Sequence, residues 1–349
     1  MKLRNAVIVA AIIAVLCAQA NAATPLRFAS FQRPASSSNF ALYAEGWFSD
    51  GCYSGCGYTP YVGVFDDGGV AKSAQLMFPY DYVYSSGFWG TSPMSVSDAY
   101  VFEADDFRST VYAWPIGATA YGYTIPQAGP PQATAVDPQG DLYVLTGSAQ
   151  IAVFQPGSAT AVRVITKGVA GATTIAVDSR SYLYAGGAST VTVYKAGATK
   201  PMETITQGIS GVVGLAVGGR ERLYVANLGT TAITAYTFGT TTPTETITQG
   251  LQRVGSVAVG PTGTLYAKAG YGLVTEYDKG GTTLSRKVSI PACCNGNIVV
   301  DPNDTLYAVG ALASNSRELR IYTVPSQSKQ WKRHLRSNHA YDLAIGPAW

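Results

Sequence analysis

One phrase recurs along this chain at a near-constant interval, and it limits the fold more than any other feature. It reads TAVDPQGDLYVLTGSAQIAVFQPG from Thr134, IAVDSRSYLYAGGASTVTVYKAG from Ile175, LAVGGRERLYVANLGTTAITAYTFG from Leu215, VAVGPTGTLYAKAGYGLVTEYDKG from Val257 and IVVDPNDTLYAVGALASNSRELRIYTV from Ile298. The Leu-Tyr pairs end at Tyr143, Tyr184, Tyr224, Tyr266 and Tyr307, 40 to 42 residues apart. An aromatic residue follows each second apolar run, at Phe154, Tyr194, Tyr236, Tyr277 and Tyr322, and 24 residues beyond each stands an Asp or Gly: Asp178, Gly218, Gly260, Asp301 and Gly346. A fixed period of this length marks an array of small structural units.

Each unit holds four short alternating runs, as in GLAVG, RLYVAN, AITAYTF and TETITQG from Gly214 to Gly250. Their length, their Val, Ile, Thr and Tyr content and their glycine breaks predict strands and exclude helical repeats of similar period. Four antiparallel strands per 40 to 45 residues make one blade of a β-propeller. The pattern persists upstream in weaker form. SVSDAYVFEADDFRSTVYAWPIG keeps Tyr100 and Tyr112 in the two marker positions, and FALYAEGWF with TPYVGVFDDGG keeps Tyr43 and Phe65. Second strands then number seven. First strands also number seven, but they run from the one near Val96 to the one at Ile345 in the terminal DLAIGPAW. The expected fold is therefore an all-β, seven-bladed β-propeller of four-stranded antiparallel blades over residues 40–349. It is closed by pairing the C-terminal strand with the N-terminal blade, which leaves no exposed strand edge.

LYVANLGTTAITAYTFG resembles the bacterial YVTN-type repeat, and GLAVGGRERLYVAN is similar to the NHL type. The resemblance covers residues 93–349 best and implies a six- or seven-bladed propeller. Such propellers include binding modules and enzymes, so function has to be argued from a site.

Residues 1–22 have the layout of an export leader. Lys2 and Arg4 precede the apolar run Val7 to Ala18, and Ala20-Asn21-Ala22 is a small-x-small cleavage site. The run is too short to cross a bilayer, so no transmembrane segment is expected. Residues 23–39 form an N-terminal extension. The expected location is periplasmic or extracellular. Of 24 Lys and Arg, two leave with the leader, against 21 Asp and Glu, so the rest is nearly neutral. That balance gives no reason to expect a nucleic acid or an anionic membrane as partner.

Departures from the repeat cluster in adjacent blades. The interval between marker aromatics is 22 residues from Tyr43 to Phe65 and 15 from Tyr307 to Tyr322, against 10 to 12 elsewhere, and PYDYVYSSGFWGTSP extends the connection after the first blade. In a propeller all these loops open on one face. The cysteines left after loss of Cys17 lie there too: Cys52 and Cys56 in one loop, Cys293 and Cys294 in another. An even count in an exported chain favours disulfides, with at least one bond expected between the first and seventh blades and a four-thiolate zinc site as the alternative.

Tyr80, Tyr82, Tyr84, Phe88 and Trp89 present aromatic faces suited to sugars or peptides, or else cover the seam between the chain ends. KQWKRHLRSNH from Lys329 to His339 is expected as a charged outermost strand, with Asn338, His339 and Asp342 as a possible polar cluster at the channel mouth. The pairs Asp66 and Asp67, Asp105 and Asp106 with Glu103, and Asp301 with Asp304 fit hairpin turns better than calcium sites.

No nucleophile elbow, zinc-protease motif or phosphate loop occurs. The expected function is an exported binding or interaction module for a protein, peptide or carbohydrate. Its ligand residues would be Tyr80, Tyr82, Tyr84, Phe88, Trp89, Asn338, His339 and Asp342, with no metal, cofactor or catalytic residue assigned. The alternative is a lactonase- or lyase-type propeller enzyme holding Ca or Mg in the central channel. Lyase propellers of this kind use two histidines and a glutamate, and no Glu accompanies His334 and His339.

Overall fold

The computed structural model describes residues 40–49, 57–66, 71–77, 82–83, 93–218, 222–270, 272–280, 283–290, 297–311, 319–324, 333–335 and 343–347, all within the unit Ser36–Trp349. Every regular element among the described residues is a strand, and the strands form seven antiparallel sheets. Sheet 1 runs in the order Leu343–Pro347, Phe40–Ser49, Gly57–Asp66, Ala71–Met77, with Tyr82–Val83 also bonded to Gly57–Asp66. The other six are four-stranded meanders in chain order. Sheet 2 holds Met94–Val96, Tyr100–Asp105, Thr110–Pro115 and Tyr123–Pro126, and sheet 3 holds Pro131–Val136, Leu142–Thr146, Gln150–Phe154 and Ala161–Ile165. Sheet 4 holds Ala172–Val177, Leu183–Gly187, Val191–Tyr194 and Glu203–Ile205, and sheet 5 holds Val212–Gly218, Arg222–Asn227, Ala232–Thr237 and Glu245–Ile247. Sheet 6 holds Val257–Val259, Leu265–Gly270, Leu273–Tyr277 and Leu284–Ser289, and sheet 7 holds Ile298–Val300, Leu306–Ala311, Leu319–Val324 and Arg333–Leu335. This is the strand content expected of propeller blades.

Burial explains the sequence pattern strand by strand. Leu142–Thr146 and Val191–Tyr194 are buried along their whole length, because a neighbouring sheet covers each face, and they read as continuous apolar runs. The fourth strands AVRVI and LSRKVS instead alternate between exposed and less exposed residues. Apolar clusters fill the spaces between successive sheets. Tyr43, Val62, Met94 and Trp114 join sheets 1 and 2, and Phe102, Val111, Leu142 and Phe154 join sheets 2 and 3. The series continues to Tyr266, Ile298 and Leu306 between sheets 6 and 7.

The first strand of each sheet lies beside the first strand of the next, from Met94–Val96 to Ile298–Val300, and Leu343–Pro347 touches both of these. The C-terminal strand also pairs antiparallel with Phe40–Ser49, placing Leu42 opposite Ile345 and Tyr43 opposite Ala344. Ala41, Leu42 and Tyr43 are fully buried there. The expected pairing between the two ends of the chain is thus present.

Register corrects three of the expected marker residues. Val96 pairs with Val101 and Val101 with Trp114, just as Val136 pairs with Leu142 and Leu142 with Phe154. The counterparts of Tyr143 and Phe154 in sheet 2 are therefore Phe102 and Trp114, not Tyr100 and Tyr112. The first turn of sheet 2 is also shorter by one residue: Ser97 N–H bonds to the Tyr100 carbonyl, where Asp137 N–H reaches that of Asp141. In sheet 7, Leu306 pairs with Val324, so the third-strand marker falls there and not at Tyr322. Tyr43 and Phe65 do occupy the marker positions in sheet 1, since Leu42 lies between Ile345 and Phe65.

Candidate functional site

Each sheet has two ends. One carries the turns joining first to second and third to fourth strands; the other carries the second-to-third turns and the connections to the next sheet. At the first end a repeated polar device appears. Asp137, Asp178 and Asp301 each end a first strand and are nearly buried. One carboxylate oxygen of each accepts the backbone N–H groups two and four residues on: Gln139 and Asp141, Arg180 and Tyr182, Asn303 and Thr305. The other accepts the hydroxyl of the second-strand tyrosine: Tyr143 at 3.3 Å, Tyr184 at 3.2 Å and Tyr307 at 3.0 Å. The expected turn role of Asp301 is therefore met, and its side chain also anchors a buried tyrosine. Asp105 likewise caps its own turn through the Arg108 N–H and guanidinium, at 3.0 and 3.2 Å. Glu103, by contrast, lies within a strand and is buried.

Arginine completes two of these sites. Arg163 donates to the Tyr143 hydroxyl at 3.0 Å, and Arg180 donates to Asp178 at 3.1 Å. Burial pushes the Tyr143 hydroxyl up to about 12, with Arg163 pulling the other way. Burial and Asp178 push Tyr184 up as well. A second stitch runs between sheets: Tyr194, Tyr236 and Tyr277 donate to the carbonyls of Lys167, Gln207 and Gln249, just after the preceding fourth strand. Gly168 must be glycine there, because its φ is +77° and a Cβ would lie 2.9 Å from the Tyr194 hydroxyl.

The repeated aspartate is missing in four sheets: Ser97 stands in its place in sheet 2 and Gly346 in sheet 1, while sheets 5 and 6 have Gly218 and Gly260. A further residue, three positions on, reaches back over the turn of the preceding sheet. Ser181 of sheet 4 bonds Gln139 of sheet 3 at 2.5 Å. Asp304 of sheet 7 places its Oδ1 where a Cβ on Gly260 of sheet 6 would collide with it. Ser181 and Asp304 hold φ of 61° to do this, a conformation that favours glycine.

In sheet 6 the corresponding residue is Gly263, with φ +89°, and it has no side chain to send toward Gly218. The junction between sheets 5 and 6 thus lacks both groups. A cleft of about 480 Å³ lies there, lined by Gly218, Arg222, Tyr224, Val259, Thr262 and Lys279, among others.

Arg222 is the organising charge of this cleft. It pairs with Glu245 at 2.5 Å and donates to the Gly280 carbonyl at 2.7 Å. Its guanidinium carbon sits 5.6 Å from the Tyr224 ring centre. Burial, reinforced by Glu245 and opposed by Arg222, raises the Tyr224 hydroxyl above its ordinary value. Two cations, a tyrosine hydroxyl and a threonine can hold an anion by charge and hydrogen bonds. Among the described residues no group of three or more His, Cys, Asp or Glu is placed to hold a metal ion.

Of the expected ligand residues, only Tyr82 is among the described residues. Tyr82 lies in the strand Tyr82–Val83, which pairs with Tyr58 and Gly57. Tyr80, Tyr84, Phe88, Trp89, Asn338, His339 and Asp342 lie outside the described residues, as do Cys52, Cys56, Cys293 and Cys294. Arg333–Leu335 forms the fourth strand of sheet 7, as expected for the basic segment. One buried cation was not anticipated: Lys268, in the second strand of sheet 6, is 5% exposed, and desolvation lowers it to about 8. The cleft was not anticipated either. Its signal was present, in a glycine at the strand end of one unit and a second glycine three residues past the strand end of the next. Comparison with known proteins finds no matching family model and no matching curated protein.

Proposed function

We propose that the chain is an exported, seven-bladed β-propeller of the NHL or YVTN kind that serves as a binding module, engaging a protein, peptide or carbohydrate through the end that carries the first-sheet hairpin. The succession of neighbouring first strands, with Leu343–Pro347 beside both Ile298–Val300 and Met94–Val96, supports the ring. The leader-like layout of residues 1–22 supports export.

The observation that carries the binding reading is the length of that hairpin. Phe40–Ser49 and Gly57–Asp66 stay in register for nine pairs, from Ala41 opposite Asp66 to Ser49 opposite Tyr58. The corresponding hairpin of sheet 3 keeps five. Counted from the equivalent pairs Leu42–Phe65 and Leu142–Phe154, three extra pairs at ~3.4 Å per residue carry the hairpin roughly 10 Å further than that of sheet 3. Tyr82–Val83 adds to its far part, at Gly57 and Tyr58, so Tyr82 is tied by backbone to the projecting element. Rigid support under a recognition segment lowers the ordering cost of binding.

The test is a glycan and peptide array probed with the exported chain and with a form in which residues 79–92 are replaced by a short turn. Loss of a bound class with an unchanged melting temperature supports the reading. Binding that survives the replacement unchanged contradicts it.

A further inference from the structure

We infer that the cleft between sheets 5 and 6 is a binding site for a carboxylate, at the opposite end of the sheets from the long hairpin and independent of it. The repeat itself supplies the template. In sheets 3 and 4 a carboxylate sits against a buried tyrosine hydroxyl with an arginine beside it: Asp137, Tyr143 and Arg163; Asp178, Tyr184 and Arg180. Sheet 5 keeps the tyrosine, as Tyr224, and loses the first-strand carboxylate to Gly218; the arginine beside it, Arg222, comes from another position of the repeat and is paired with Glu245.

The loss is not made good from the neighbouring sheet. At the next junction Asp304 covers Gly260, but Gly263 sends no side chain toward Gly218, which packs against Val259. What remains is a cleft beside the turn where the chain's own repeat holds a carboxylate. The Tyr224 hydroxyl has no first-strand carboxylate to donate to. Lys279, exposed on the rim, adds a positive charge that the other junctions do not have at this position. Charge-assisted hydrogen bonds from a hydroxyl and a cation favour a carboxylate over its amide, which offers a single neutral acceptor oxygen.

The volume is larger than a lone carboxylate needs, so the group would arrive on a small molecule or at a chain end, such as a sugar acid or a peptide C-terminus. Both sources share the chemistry that the cleft recognises.

The experiment is a titration of the ¹⁵N-labelled exported chain with acetate, glucuronate and a short peptide with a free C-terminus, each beside its amide. Saturable shifts at the amides of Gly218, Thr262, Gly263 and Lys279 are expected with the acids and not with the amides. The two sources separate by which acid saturates at lower concentration. Gly218→Asp, which restores the repeat's own carboxylate, is expected to abolish the response. A Cβ there meets Val259 Cγ1 at 2.8 Å, so Tyr224→Phe serves as the second variant, and it should weaken binding by about tenfold. Acids and amides acting alike, or wild-type affinity in a folded Gly218→Asp or Tyr224→Phe protein, would overturn the assignment.

Discussion

Two junctions of the molecule have lost the same side chain and met the loss in different ways. Gly218 and Gly260 both replace the aspartate that ends a first strand in sheets 3, 4 and 7. At Gly260 the neighbouring sheet compensates, with Asp304 held at a φ of 61° to bring its carboxylate over the glycine. At Gly218 the neighbour offers only Gly263, and a cleft results. A residue missing from a repeat is therefore not by itself a site. It becomes one where the adjoining unit has also given up the group that would fill it.

Four perturbations break or sharpen this comparison. The largest concerns packing, which the two kinds of junction share. Tyr143→Ala and Tyr224→Ala should each cost about 3–5 kcal/mol in denaturant unfolding, because both rings are almost wholly buried. A much smaller cost at Tyr224 would mean that the cleft already disrupts its junction.

Next is a titration at the other end of sheet 6. Lys268 is lowered from 10.5 to about 8 by burial, so between these values the unfolded chain binds more protons than the folded one and stability rises with pH. The rise corresponds to about 3 kcal/mol and should vanish in Lys268→Met. It is best followed from pH 8 to 10. Tyr143 and Tyr194, both raised to about 12, contribute stability that is lost as pH climbs from 10 through those values. A flat profile from pH 8 to 10 would show that Lys268 is not desolvated.

Third, Tyr143→Phe should cost about 1–2 kcal/mol, because it strands a buried Asp137 carboxylate, while Tyr224→Phe should cost less than about 0.5 kcal/mol. Equal costs would remove the distinction between filled and open junctions. Smallest of all, Asp304→Gly should change stability by less than about 1 kcal/mol, since relief of the positive φ offsets the lost packing. It should also confer a new carboxylate response at Gly260.

Much of this architecture was legible beforehand. Leu-Tyr pairs of near-constant spacing announced the second strands of five sheets, and the surplus terminal LAIG announced the pairing of Ile345 with Leu42. Marker residues failed at sheet 2 for a local reason. Tyr100, Phe102, Tyr112 and Trp114 alternate along two strands, so a count two residues early lands on an aromatic of the same face without disturbing the apolar pattern. Sheet 7 failed at Val324 because the alternation of its third strand likewise offered an aromatic, Tyr322, two residues early.

The cleft stayed hidden for a different reason. Gly and Asp at the first-strand end look interchangeable in a linear comparison, since both suit a turn. Their difference matters only through Gly263, 45 residues on, which the sheet-to-sheet packing brings alongside.

All of this rests on the last strand closing the first sheet. Amide hydrogen exchange of residues 23–349 measures that directly. The account predicts that Leu343–Pro347 and the strand facing it, Phe40–Ser49, exchange as slowly as Leu142–Thr146 and lose protection together with the other sheets. Fast exchange at Ala344 to Gly346 with the remaining sheets protected would contradict it.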